Sequence, residues 1–265
     1  CTAAGGGVYN CAGPSTTEQA LSVTSGSLTV NLDDTATVDA ALGDAFDLRK
    51  YGGDGDLTFT QAPGGGAITG ASDGISASNV GTGALSITAT GAVTGDIDGI
   101  LTVNFGTDLS ITTESDVAGG NSGINATNQT DGALSITATG AVTGTQSFGI
   151  YANNRGGTTD VSVTAGSAVL GYISGIYTRN RGTGALEITA TETVTGTTGD
   201  GIVGRNFGTN LSVTAGAAVL GGDIGIVARN NGTGVLEITT TGAVTGEAGR
   251  GIDAYAAASA AGDVT

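Results

Sequence analysis

From Leu21 onward the chain is a series of short runs in which apolar and polar residues alternate. Leu28-Thr29-Val30-Asn31-Leu32, Leu85-Ser86-Ile87-Thr88-Ala89-Thr90 and Leu211-Ser212-Val213-Thr214 are typical. A period of two is that of a strand, because successive side chains point to opposite faces; a helix would show a period of 3.6. Val, Ile and Thr fill the runs, and they are the residues that suit a pleated surface. The alternation also assigns faces. Ile75, Ala77 and Asn79 point inward, as do Leu85, Ile87 and Ala89, which leaves Ser86, Thr88 and Thr90 to solvent.

The runs recur. The pair Gly-Ile stands at Gly74-Ile75, Gly99-Ile100, Gly123-Ile124, Gly149-Ile150, Gly175-Ile176, Gly201-Ile202, Gly225-Ile226 and Gly251-Ile252. The steps are 25, 24, 26, 26, 26, 24 and 26 residues. Each unit carries three strand-like parts, worded Gly-Ile-x-small-x-Asn, Leu-x-Ile/Val-Thr and Ala-Val-x-Gly. Fixed periods of this length mark solenoids or arrays. A propeller would need antiparallel blades of ~40–45 residues, and an α/β fold would need helical crossovers. The expected fold is all-β, a right-handed parallel β-helix of about ten coils of ~25 residues with three short strands each. Alternate coils resemble each other best: Leu85, Leu134, Leu186 and Leu236 share the wording Ala-Leu-x-Ile-Thr, so the repeating unit is a pair of coils near 50 residues.

Four residues after each isoleucine stands Asn79, Asn104, Asn128, Asn154, Asn180, Asn206 or Asn230. Stacked at one turn, these amides are expected to form a ladder, each bonding the coils above and below at ~4.8 Å spacing. Residues 1–19, rich in glycine, read as a cap. Residues 20–73 read as less regular first coils, with Ala45-Phe46 in place of Gly-Ile. Residues 74–265 read as the regular repeats, ending partway through a coil, since Gly262-Asp263-Val264-Thr265 matches the start of a second strand.

Composition narrows the function classes. Glycine is 50 of 265 residues, and the net charge is −16 with no His, Met or Trp. Nucleic acid is thereby a poor partner. No apolar run of ~18 residues is present to span a bilayer. Cys1 and Cys11 are the only cysteines. With no other Cys or His they cannot complete a zinc site. The reading is a disulfide over the first coil, with acylation of Cys1 as the alternative.

The Cys-to-Cys start, the coils worded like Gly81–Gly95, Gly182–Gly196 and Gly232–Gly246, and the turn Gly149–Asn154 resemble the passenger regions of autotransporters, the type V secreted proteins of Gram-negative bacteria. The resemblance covers residues 1–255. It implies a β-helix displayed on the outer cell surface or released outside the cell, acting as an adhesin, a self-association factor or a stalk. Partners would be other copies of the chain, or cell-surface glycans and proteins.

Candidate chemistry is sparse. A Ser-His-Asp triad is excluded because the chain has no histidine. Glu187 and Glu237 occupy equivalent outward positions two coils apart, a predicted ~10 Å (two rungs of ~4.8 Å), wider than a usual carboxylate pair. They read as solvated glutamates, a polysaccharide-active enzyme being the alternative. Gly52-Gly53-Asp54-Gly55-Asp56 resembles a calcium nonapeptide but does not recur. The file Thr88, Thr112, Thr137, Thr164, Thr189, Thr214 and Thr239 suggests ice binding, with the file Thr90, Glu114, Thr139, Gly166 and onward as a broken second row. No catalytic residue, metal or cofactor is expected.

Charge is distributed unevenly along the chain. Residues 1–131 hold 15 acids and two bases, while residues 132–265 hold nine acids and six bases. Arg155, Arg179, Arg181, Arg205 and Arg229 cluster on or after the Gly-Ile strands, and Arg179, Arg205 and Arg229 share one outward position. Tyr151, Tyr177, Val203 and Val227 share another, with Phe207 at the following turn. This face is expected to associate with an acidic surface, the first half of another copy, in a head-to-tail or staggered filament.

Overall fold

The computed structural model describes residues 1–157 and 159–257; the expected partial coil at Gly262–Thr265 lies outside them. The chain is an all-β parallel solenoid of about ten coils, with no helix among the described residues. It has three walls. The asparagine wall contains ten strands of the Ile75–Asn79 type, running from Gln19–Val23 to Ile252–Ala256. The threonine wall contains eleven, mostly of the Leu85–Ala89 type. The third wall is built from ten short strands of the Val93–Gly95 type. Every pairing between coils is parallel and in register, so each repeat position stacks on its equivalents: Ile75 on Ile100, Leu85 on Leu109, Val93 on Val117.

Alternation decides what is buried. Ile75, Leu85, Ile87 and Val93 are fully buried, and their equivalents in each coil merge into one continuous core. Each buried aliphatic contributes ~1.5–3 kcal/mol relative to an exposed one. The glycine before each isoleucine is required by crowding: a Cβ on Gly74 would stand 2.6 Å from both the Gly99 carbonyl oxygen and Val93 Cγ1. Only a residue without a side chain lets the chain turn there.

The first coils are more regular than their wording suggests. Phe46–Lys50 pairs in register with both Gln19–Val23 and Ile75–Asn79. Phe46 and Phe59 fill the isoleucine positions and meet edge-on at 5.0 Å. Below them, Thr2–Gly5 folds antiparallel against Val8–Cys11, which in turn pairs with Leu28–Leu32. Cys1 and Cys11 are disulfide-bonded. The reversed strand covers the lower edge of one wall only. The third wall begins with Pro14, which has no N–H to offer another chain. Closing a loop of this size restricts the unfolded chain by roughly 2–3 kcal/mol.

The ladder is present and has one gap. Asn79, Asn104, Asn128, Asn154, Asn180, Asn206 and Asn230 are all fully buried. Nδ2 of one donates to Oδ1 of the next from Asn79 to Asn104 (2.9 Å), Asn104 to Asn128 (3.0 Å), Asn154 to Asn180 (3.2 Å), Asn180 to Asn206 (3.1 Å) and Asn206 to Asn230 (3.2 Å). Between Asn128 and Asn154 no such bond forms, and Asn154 Oδ1 is buried without a partner. Asn79, Asn104, Asn128, Asn180, Asn206 and Asn230 also bond their own turns, as Asn104 Nδ2 does with the Thr107 and Asp108 carbonyls. The expectation that every asparagine bonds both neighbours therefore fails at one rung.

The next position down the ladder is Lys50, in register with Asn79 and fully buried. Its Nζ donates to the Gly52 and Gly53 carbonyls at 3.0 and 2.9 Å. Burial pushes its pKa down, opposed by the charges of Asp54 and Asp56. The Gly52–Asp56 segment is thus a cradle for an ammonium group. Its carbonyls are engaged with Lys50, and Asp56 Oδ1 accepts the Ala84 N–H, which leaves few ligands for calcium.

The paired-coil repeat also has a physical cause. Asp56, Asp108, Asp160 and Asn210 each precede a threonine-wall strand, and each Oδ1 accepts the N–H of Ala84, Ala133, Ala185 or Val235 in the coil above. A coil bearing a carboxylate or amide here therefore seats a coil bearing a small or apolar residue.

The ladder gives an unequal expectation for two identical substitutions. Asn104→Ala removes five hydrogen bonds and leaves buried partners unsatisfied, which should cost roughly 2–4 kcal/mol. Asn154→Ala should cost clearly less, because its Oδ1 makes no bond. Urea unfolding of both variants checks this, and equal losses would refute it.

Candidate interaction wall

The outer face of the asparagine wall carries two files of side chains. In coil order the first file is Ala20, Asp47, Ser76, Leu101, Asn125, Tyr151, Tyr177, Val203, Val227 and Asp253. The second is Ser22, Arg49, Ser78, Val103, Thr127, Asn153, Arg179, Arg205, Arg229 and Tyr255. The three arginines stack in one file: Arg205 lies over Arg179 and Arg229 over Arg205.

Its electrostatics differ from a bare column of like charges. Arg229 is ion-paired with Asp253 of the next coil. Arg205 lies over the Tyr177 ring at 5.7 Å, and Arg179 over the Phe207 ring at 5.3 Å. Each such contact is worth ~0.5–1 kcal/mol at an exposed site. Tyr151 and Tyr177 stack at 5.5 Å, and Phe148 tilts against both. Arg155 and Arg181 are exposed on the corner that follows the strands. Arg179 Nε and Asn153 Oδ1 are buried without partners.

Two residues expected to be exposed here are not. Val203 is 1% exposed and Val227 5% exposed, although both point outward and stand apart from the continuous core. Each is a short side chain between bulkier neighbours, Tyr177 below Val203 and the arginine file alongside, so water cannot reach it. The aromatic part of the upper surface is Tyr151, Tyr177, Phe207 and Tyr255, with Leu101 and Val103 lower on the same face.

The lower end of the same wall is acidic. The carboxylates of Glu18, Asp44 and Asp47 lie within 4.8 Å of one another. Arg49 Nε binds both oxygens of Asp47, at 2.7 and 2.9 Å, so three acids share one base. Beside them Ala20, Leu21, Ser22, Asp47, Arg49 and Tyr51 line a depression of about 370 Å³.

At the adjoining corner the residues before the Gly-Ile pairs form a second polar column. Asp44 Oδ1 accepts the Asp73 N–H, Asp73 Oδ1 the Asp98 N–H, and Asp98 Oδ1 the Ser122 N–H. Asp200 accepts the Ile224 N–H in the same way. Burial raises the Asp73 pKa to about 6; the Asp98 N–H opposes that shift, while the charges of Asp44, Asp98 and Asp47 add to it. Sequence reading passed over this column, and the signal for it was the recurring Asp-Gly-Ile of Asp73, Asp98 and Asp200. Lys50 was equally available, four residues after Phe46 as Asn79 is after Ile75.

The threonine wall corrects another expectation. Thr60, Thr88, Thr112, Thr137, Thr164, Thr189, Thr214 and Thr239 form an unbroken file. Thr90 is not on that face: it is buried, and its Oγ1 donates to the Ala62 carbonyl. Thr139, Thr191 and Thr241 likewise donate to carbonyls of the coil below. The second file is instead Thr58, Ser86, Ser110, Ser135, Ser162, Glu187, Ser212 and Glu237. Glu187 and Glu237 therefore sit two rungs apart on an open strand face.

No protein-family model matches the chain, and no curated protein or solved structure matches it. No helix of the described residues is long and apolar enough to cross a membrane.

Asp73 yields a pH dependence. Its folded pKa of about 6 lies above the ordinary ~3.9 of an unfolded aspartate, so the folded state binds its proton more tightly. The stabilisation is full below about pH 4 and is lost as pH rises through 6. Asp73→Asn keeps an acceptor for the Asp98 N–H and removes the charge. At pH 8 it should melt higher than wild type by roughly 2–5 °C, and at pH 4 the difference should vanish. An unchanged gap at both pH values would refute the assignment.

Proposed function

We propose that the chain is a structural and adhesive module of the outer cell surface that associates with further copies of itself and catalyses no reaction. The observation that carries this reading is the asparagine wall. A chain of net charge −16 concentrates Arg155, Arg179, Arg181 and Arg205 beside the half-buried Tyr151 and Tyr177 and the exposed Phe207, and arginine next to aromatic residues is interface composition. The acids that complement them lie in the other half of the same chain. The resemblance to autotransporter passengers supports an extracellular setting on a Gram-negative bacterium, and cell-surface glycans or proteins are the other partners this surface would suit. Nucleic acid and cofactors have no place in it.

A second reading, ice binding, draws on the two hydroxyl files of the threonine wall, uncharged from Thr58–Thr60 through Ser162–Thr164. Glu187 and Glu237 interrupt the array above that level. Thermal hysteresis of the purified protein decides it: the self-association reading expects none beyond the colligative value, and a clear hysteresis gap would move the function to this wall.

For the first reading, exposed ion pairs are individually weak and screened by salt. Association should be visible by analytical ultracentrifugation at low ionic strength and should fall at least tenfold by 0.5 M salt, on the order expected for several screened contacts. Replacing Arg179, Arg205 and Arg229 together with serine should abolish it. A triple variant that associates like wild type would leave the stripe as plain surface.

A further inference from the structure

The corner between the asparagine wall and the threonine wall carries a column of its own. Val80, Phe105, Gln129 and Arg155 each donate a backbone N–H to the ladder carbonyl one coil below, at Lys50, Asn79, Asn104 and Asn128, so they lie one above another. Tyr51 continues the column downward. Tyr51, Val80 and Phe105 are exposed by 54%, 52% and 45%. Single exposed apolar residues are ordinary, but these stand at successive rungs ~4.8 Å apart and form a continuous ridge. At the upper end of the ridge is a depression of about 450 Å³, lined by Phe105 together with Thr82, Thr107, Gln129, Asp131 and Gly156.

The register explains why the Phe105 ring stays open. Phe207 is its equivalent higher in the column, and there Arg179 of the coil below lies over the ring at 5.3 Å. The residue in the position of Arg179 below Phe105 is Ser78, which is too short to cover a ring. The polar groups around the depression are open as well. The side-chain bonds of this corner run through Asn104, Asp108, Asn128 and Thr130, whose Oγ1 donates to the Gly106 carbonyl. Among the described residues the side chains of Thr82, Thr107, Gln129 and Asp131 make no hydrogen bond or ion pair. Two hydroxyls, an amide and a carboxylate thus surround one uncovered phenyl ring.

We infer that this depression binds a neutral oligosaccharide. A pyranose ring has apolar C–H faces and a rim of hydroxyls, and it suits an apolar floor with a few polar groups at the edge. One sugar stacks on Phe105. Its hydroxyls donate to the Asp131 carboxylate and Gln129 Oε1, and accept from Gln129 Nε2 and the threonine hydroxyls. The carboxylate makes the stronger, charge-assisted bonds. Further sugars run down the corner over Val80 and Tyr51. Residues 1–131 hold 15 acids against two bases, a field that disfavours acidic sugars. The inference rests on the adhesive reading proposed above and supplies its ligand class. It uses a corner apart from the file of Arg179, Arg205 and Arg229, so sugar binding and self-association can fail separately.

The chain has no tryptophan, so Phe105→Trp keeps an aromatic floor and places a sole indole in the depression. Titrating the full chain with short neutral oligosaccharides of glucose, galactose and mannose should give a saturable blue shift of its emission with at least one of them. In calorimetry with that sugar, Phe105→Ala should bind roughly tenfold more weakly than wild type, the loss expected for an aromatic anchor. Gly156→Tyr should bind none. It fills the depression without strain, since a Cβ at Gly156 comes no nearer than 3.7 Å to its closest neighbour, the Thr130 carbonyl oxygen. Circular dichroism confirms that each variant keeps its sheet. No shift with any neutral sugar overturns the inference, as does wild-type binding by both Phe105→Ala and Gly156→Tyr. Tighter binding of uronic acid oligosaccharides overturns it too, and a response only to arginine-rich peptides would make the depression a cation site instead. Ultracentrifugation of the same samples reads self-association independently: a monomer that binds sugar upholds the inference and removes that other part of the proposed function.

Discussion

Parallel strands one hydrogen-bond repeat apart place every residue directly over its equivalent in the next coil. All else in the molecule follows from that stacking. An apolar position becomes a column of core, as Ile75 through Ile226 shows. A buried amide becomes acceptable because the next amide supplies its partner, which is why seven asparagines occupy a site that a lone polar side chain would destabilise. The same rule turns an isolated arginine into a stripe and a loop aspartate into a column whose carboxylates accept the N–H groups of the coil above.

Legibility in the sequence followed the same division. The fold was readable because its signals repeat: Gly-Ile, the asparagine four residues on, and period-two alternation all point to one architecture. Phe46 was placed in register with Ile75 from a single substituted coil. Lys50 was not recognised, since a lysine in a ladder of amides breaks the pattern that would identify it. Thr90 was misplaced because alternation was carried one residue past the end of its strand, where the chain turns and the hydroxyl meets a carbonyl.

The interaction wall was only half legible. Register fixed the arginine column from spacing alone. Sequence could not show that Asp253 neutralises Arg229, that rings lie beneath Arg179 and Arg205, or that Val203 is shaded by its neighbours. Those depend on rotamers and on contacts between coils, which no single-coil pattern encodes. Nor could a charge tally by sequence half reveal that both signs share one face.

The carboxylate–amide contact between paired coils has a consequence for the history of such a chain. Asp56, Asp108, Asp160 and Asn210 each seat the coil above, and the alternate junctions lack that bond. Loss of one coil by recombination between near-identical repeats would leave two like coils in contact, with a backbone N–H or a carboxylate stranded at the new joint. Loss or gain of two restores the alternation. Length variants of this array should therefore differ by steps of two coils, a genetic quantum set by one hydrogen bond.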